Sequence, residues 1–172
     1  FNFLKDKSVI YYLIYWCYKF FMSSKKLNIA VAGATGFVGL DLVYFLSNHP
    51  KVKIRYLFAQ KNVGKKIQKF DNRIKRKLPI ISNLKKANWK KIDLLFLSLP
   101  NGEAQKIIKK LFKFKNLKFI DLSADFRIEN PKSYKKWYFI NHNAKKLIKD
   151  SIYSISEFSK NKIKNFRIIS VP

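Results

Sequence analysis

The sequence predicts an α/β fold of the Rossmann type: a doubly wound, mainly parallel sheet with flanking helices. Three observations carry that prediction. A chain of 172 residues is long enough for one domain with a real core. Short apolar runs suited to strands buried on both faces alternate with runs of helical period, the order that gives parallel pairing. The first apolar run passes directly into Gly33-Ala34-Thr35-Gly36-Phe37-Val38-Gly39, a tight turn that opens a helix.

The elements follow in order. Leu27–Ala32 is a short apolar strand, and residues 37–47 form a helix with Val38, Leu42, Phe45 and Leu46 on one face and Pro50 beyond its stop. Val52–Phe58 is the second strand. Residues 59–91 are lysine-rich and carry no clear element. Residues 92–99 read as another strand buried on both faces, turned by Pro100-Asn101-Gly102 into a helix over 103–112 with Ile107, Ile108 and Leu111 inward. A strand at 118–122, a helix near 144–149 and strands at 151–154 and 167–170 complete the unit. No repeat or low-complexity linker interrupts it.

The glycine turn carries the first functional reading. Gly33 can turn sharply off the strand, Gly36 lets a pyrophosphate approach bare backbone, and Gly39 lets the helix pack closely. The helix start offers free N–H groups and the positive end of its dipole. Gly33, Thr35, Gly36, Phe37 and Val38 are therefore candidate cofactor-binding residues through their amides, with the Thr35 hydroxyl adding one bond. Leu99 and Pro100 end a later strand at its carboxyl edge, where they contact ribose or nicotinamide or simply turn the chain. In such folds an acid after the second strand binds the ribose of NAD, whereas a base accommodates the 2′-phosphate of NADP. No acid stands between Asp41 and Asp71, and Lys61 and Lys65 follow the strand, so NADP is expected with Lys61 on its 2′-phosphate.

The net charge of +27 raises the possibility of nucleic-acid binding, but only five of the 37 basic residues are Arg, and the lysines are spread along the whole chain. Arg dominates base and phosphate recognition, so solvated lysines are the preferred reading and no nucleic-acid partner is expected. Cys17 is the only cysteine, which excludes a disulfide framework, and no metal-ligand cluster is present. His49 reads as a helix-end cap and His142 as a surface or turn residue. A reducing, cytoplasmic compartment fits. Residues 9–18 are apolar but too short to span a membrane, so no membrane partner is expected. With Met22 the only methionine, residues 1–21 read as an upstream segment and 22–172 as the domain. A membrane anchor is the alternative.

Leu97-Ser98-Leu99-Pro100-Asn101-Gly102, Asp121-Leu122-Ser123-Ala124-Asp125-Phe126-Arg127 and Tyr153-Ser154-Ile155-Ser156-Glu157, taken with the glycine turn, resemble the N-acetyl-gamma-glutamyl-phosphate reductases of arginine biosynthesis. The similarity runs in order from Leu27 to Pro172. Ser154 and Ser156 depart from it, where glycine and proline are common. The resemblance implies a semialdehyde-dehydrogenase-type oxidoreductase that uses NADPH to reduce a small acyl phosphate to an aldehyde with release of phosphate. It implies a cysteine nucleophile at a helix start, forming a thioester. That cysteine is expected beyond Pro172, with a further domain that supplies the catalytic histidine and most contacts of a homo-oligomer. No catalytic residue is therefore assigned here, and residues 1–172 alone are expected to be inert. Ser123 and Arg127 become candidate substrate-binding residues. Arg127 either pairs with a substrate carboxylate or phosphate, or forms an ion pair with Asp125 or Asp121. Trp137 and Tyr138 either shape the substrate mouth or pack in the core. Alternatives are an aspartate-semialdehyde dehydrogenase, a lysine-pathway aminoadipyl-phosphate reductase, or a basic nucleic-acid-binding module on the same fold.

Overall fold

The computed structural model describes residues 26–154 and 162–172. Residues 1–21, read above as an upstream segment and including Cys17, lie outside the described residues, as do Met22 and residues 155–157 of the third motif. The strands are β1 (Leu27–Ala32), β2 (Val52–Phe58), β3 (Leu94–Leu97), β4 (Lys118–Asp121), β5 (Ser151–Tyr153) and β6 (Ile168–Ser170). The helices are α1 (Phe37–Asn48), α2 (Glu103–Leu111) and α3 (Pro131–Tyr138). Among the described residues the sheet runs β2-β1-β3-β4-β6-β5 with every pairing parallel.

The chain adds β2 on one flank of β1 and then crosses to add β3 on the other, so the strand order reverses between β1 and β3. Side chains alternate across this sheet and build two cores. Ile29, Val31, Leu94, Phe96 and Ile120 pack on one side with Leu42, Val43 and Leu46 of α1. Ala30, Ala32, Leu95, Leu97 and Phe119 pack on the other with Ala104, Ile108 and Leu111 of α2. Near-continuous apolar strands result, because neither face meets water.

Several elements differ from the sequence reading. The strand expected over 92–99 is confined to Leu94–Leu97: Ile92 closes a preceding 3₁₀ turn through its N–H to Trp89 O at 3.3 Å, and Pro100 has no N–H to extend the ladder. The helix expected near 144–149 is a 3₁₀ helix, Lys145–Asp150. Val38 points outward at 39% exposure, and Val43 takes the buried place. α3 stands where the sequence reading places no element, yet Asn130-Pro131 marks its start. The Asn130 carboxamide oxygen accepts from Lys132 N and Ser133 N at 2.8 and 3.3 Å, with Pro131 in the first turn.

Residues 59–91 replace a regular crossover with short 3₁₀ turns and one parallel bridge, Phe58 to Ser82. Single buried isoleucines, Ile67, Ile74 and Ile81, anchor the segment. Arg73 ties it to α1 by bonding both Asp71 and Asp41 while lying over the Tyr44 ring. Arg167 closes the far end of α2: it stacks on Phe112 and donates to the carbonyls of Phe112, Phe114 and Leu117. A cation there complements the helix dipole.

Candidate functional site

The turn after β1 lies at the carboxyl edge beside the point where strand order reverses, the place where open α/β sheets receive ligands. Gly33 adopts φ +79°, and a Cβ on it would sit 1.8 Å from Ser98 O at the end of β3. No other residue fits between these two backbones. A Cβ on Gly39 would lie 2.0 Å from Gly33 O, so the first turn of α1 rests directly on the glycine turn. Gly36 is different. Its backbone is extended, at φ −77° and ψ 165°, and a Cβ there would meet nothing closer than Gly33 O at 3.4 Å.

The amides of this turn divide into two sets. Gly33 N and Ala34 N both donate to Phe58 O at 3.0 Å, and Gly36 N donates to Gly33 O at 3.0 Å. The first two hold the turn against β2, and the third closes the turn on itself. Thr35 N, Phe37 N and Val38 N have no acceptor among the described residues. The first intrahelical bond is Leu40 N to Gly36 O, no side chain caps α1, and no acid stands in its first turn. Phe37, 96% exposed, leaves this helix end open to solvent.

The helix end after β3 is closed. Asp125, fully buried in the loop after β4, accepts Gly102 N at 2.6 Å and Tyr134 OH at 2.6 Å on Oδ1, and Gln105 N at 2.9 Å on Oδ2. Its carbonyl accepts His142 Nε2 at 2.7 Å, while His142 Nδ1 accepts Ala144 N at 3.2 Å, which places the ring proton on Nε2. Burial holds the His142 pKa below its ordinary value and, with Asp125 beside it, holds the Tyr134 phenol well above its own. Gln105 completes the network by bonding Tyr134 OH and Asn143 N. His142 is thus a buried structural residue, not the surface or turn residue expected: its two ring nitrogens join two loops.

Asp121 ends β4, fully buried. Its Oδ1 accepts both Ser123 N at 2.9 Å and Ser123 Oγ at 2.7 Å, and its Oδ2 has no hydrogen-bond partner among the described residues. Burial pushes its pKa up to about 6. Ser170, paired with it across the sheet, also has an unpartnered hydroxyl. Ser123 Oγ further accepts Asp125 N at 3.2 Å, so this buried hydroxyl is engaged on both sides within the loop. Arg127 forms neither of the expected ion pairs. It donates Nε to Ser123 O at 3.0 Å and a terminal nitrogen to Leu122 O at 3.3 Å, which clamps the loop backbone.

Lys61 follows β2 at the same edge, exposed and unpaired among the described residues, whereas Lys65 bonds Asn62 Oδ1 at 2.9 Å. Leu99 is half-buried beside Gly33, and Pro100 is exposed. Trp137 is 68% exposed and is not a core residue, and Tyr138 packs on Tyr134 at 5.0 Å between ring centroids. His49 closes the turn after α1, with Nδ1 accepting Lys51 N at 3.1 Å.

Strand order, glycine turn and open helix end define a dinucleotide-binding domain. The chain belongs to the family described as semialdehyde dehydrogenase, NAD binding domain, whose model matches residues 28–166. It is 39% identical over 151 residues to the N-acetyl-gamma-glutamyl-phosphate reductase of Ehrlichia ruminantium (strain Gardel), covering 87% of this chain and 43% of the relative. It is 36% identical to a probable chloroplastic enzyme of that name from Oryza sativa subsp. japonica, over 87% of this chain and 36% of the relative. The chain thus spans less than half the length of these curated relatives. Among solved structures it resembles aspartate semialdehyde dehydrogenase II of Vibrio cholerae, with a TM-score of 0.56 at 17% identity over 86% of this chain and 42% of that one. It also resembles the Candida albicans aspartate semialdehyde dehydrogenase solved with NADP, with a TM-score of 0.53 at 21% identity over 85% of this chain and 42% of that one. Those two likenesses show the fold.

Proposed function

We propose that this chain is the NADPH-binding part of an N-acetyl-gamma-glutamyl-phosphate reductase, which reduces N-acetyl-glutamyl 5-phosphate to the 5-semialdehyde with release of phosphate. The open amide set at the start of α1 carries this reading. Among the described residues, Thr35, Phe37 and Val38 present unpartnered N–H groups on a helix end whose first turn holds no acid, the electrostatics a diphosphate requires. The protein's own packing places no atom closer than 3.4 Å to a Cβ at Gly36, and close approach of a ligand gives glycine its reason there. Gly33 supports the site through the turn's shape, with its amide given to Phe58 O.

The rest of the edge fits the same reading. Lys61 stands free to meet a 2′-phosphate, and no acid in that stretch opposes it. Leu99 and Pro100 line the nicotinamide end. Arg127 keeps N–H groups beyond its two loop bonds for a substrate carboxylate or phosphate. Ser123 acts through the loop, since its hydroxyl is engaged. Bound NADPH supplies the hydride, and these residues hold and orient it. The relatives at 33–40% identity carry the reductase name, whereas aspartate semialdehyde dehydrogenases match in fold at 14–21% identity, which favours the acetylglutamyl substrate over that alternative. A cytoplasmic setting and a homo-oligomer belong to the reading; the plant relatives are named chloroplastic, so the compartment varies between lineages. Among the described residues no helix is long and apolar enough to cross a membrane.

Calorimetric titration of the chain with NADPH, NADH and 2′,5′-ADP tests the reading. NADPH is expected to bind about tenfold or more tighter than NADH, and 2′,5′-ADP to bind as well. Absence of NADPH binding ends the proposal, and a preference for NADH removes Lys61 from it.

A further inference from the structure

We infer that Asp125 is a positioning residue that locks the two loops at the nicotinamide end of the cleft into one unit and leaves the adenosine end independent of it. The inference rests on the cofactor reading above. Asp125 belongs to the loop after β4, yet its carboxylate bonds lie elsewhere: Gly102 N at the end of the β3–α2 turn, Gln105 N in the first turn of α2, and Tyr134 OH on α3. Its carbonyl takes the His142 ring from a fourth segment. All of this is buried. A second strut runs parallel to it, from Ala124 N to Asn101 Oδ1 at 3.3 Å.

The consequence follows from where the candidate ligand residues sit. Leu99 and Pro100 lie on the turn that Asp125 caps, and Arg127 lies two residues from Asp125 on the loop that carries it. Thr35, Phe37, Val38 and Lys61 lie on the glycine turn, the start of α1 and the loop after β2, none of which Asp125 bonds. Moving the carboxylate therefore displaces one half of the cleft relative to the other. Asp125→Asn is a sharp probe because it is isosteric. Oδ1 faces the Gly102 N–H and Oδ2 faces the Gln105 N–H, so either orientation of the amide sets an NH₂ group against a buried N–H donor.

The test compares NADPH with 2′,5′-ADP, which lacks the nicotinamide half, on the full chain and on Asp125→Asn. The variant is expected to lose about tenfold or more in NADPH affinity while 2′,5′-ADP affinity stays within about twofold. Equal loss for both ligands, or loss for neither, overturns the inference and leaves the cofactor reading standing. If the parent chain binds neither ligand, the cofactor reading fails and takes this inference with it. Hydrogen exchange on the parent chain gives a reading even if the variant does not fold. The amides of Gly102, Gln105, Ser123 and Asp125 are expected to open together, with one exchange free energy. Separate opening of the turn and the loop contradicts the lock.

Discussion

The helices α1 and α2 begin in closely similar ways, and the structure puts them to opposite uses. Both follow a central parallel strand, both have glycine at the N-cap, Gly36 and Gly102, and neither is capped by a side chain of its own. At α2 the free N–H groups are met by Asp125 from another loop, and the end is buried. At α1 no carboxylate arrives from the described residues, and Thr35, Phe37 and Val38 have amides without an acceptor among them. A glycine at a helix start therefore does not by itself make an anion site. What decides is whether the rest of the chain has already supplied the negative charge.

Gly33→Ala should break the open end most severely. A Cβ 1.8 Å from Ser98 O, at φ +79°, cannot be accommodated without parting β1 from β3. A loss of about 4 kcal/mol or more is expected in urea denaturation. A mild effect would mean that the close approach is not essential.

Asp121→Asn tests the loop that carries the cap, through its pH dependence. The Asp121 pKa is raised in the folded state to about 6 from an unperturbed 3.8. A raised carboxyl favours the folded state when protonated, so that contribution is complete below pH 3.8 and disappears as pH climbs through about 6. Asn keeps an acceptor for Ser123 and puts an uncharged NH₂ in place of the unpartnered carboxylate oxygen, with no charge to bury. The variant should match its parent at pH 4 and exceed it at pH 8 by about 1 to 3 kcal/mol. Comparison with the parent cancels the opposite trend from His142, whose pKa is lowered. A variant less stable than the parent at pH 8 would mean that the Asp121 charge is needed.

Gly36→Ala sharpens the contrast from the other side. With its nearest contact at 3.4 Å, a methyl group should change stability by less than about 1 kcal/mol. NADPH affinity should nevertheless fall about tenfold, because the methyl covers the path to the amides. A large stability loss with unchanged affinity would reverse that assignment. The smallest effect is expected for Lys61→Gln. It should weaken NADPH by about three- to tenfold and leave NADH unchanged, since an exposed ion pair with the 2′-phosphate is screened.

Much of this contrast was legible in the sequence on one side only. The strand, turn and helix from Leu27 to Asn48 show in order because each is a local pattern: an apolar run, spaced glycines, a helical period. The cap on α2 does not show, because Asp125 and Gly102 are joined only after β3 and β4 pair. Scarcity of arginine suggested a ligand for Arg127. Arg73 and Arg167 are equally scarce, and all three use their planar forks on the chain's own carboxylates or carbonyls. Residues 59–91 show no clear element in the sequence because isolated isoleucines anchor them, and single anchors have no period. The start of α3 was present as Asn130-Pro131, a local signal that sequence reading can use.

The most direct measurement is a crystal structure of the chain with NADP bound. The account predicts the diphosphate within hydrogen-bond distance of Thr35 N, Phe37 N and Val38 N, with Asp125 still capping α2. A diphosphate seated at Gly102–Gln105 in place of the Asp125 carboxylate, or away from both helix ends, would contradict it.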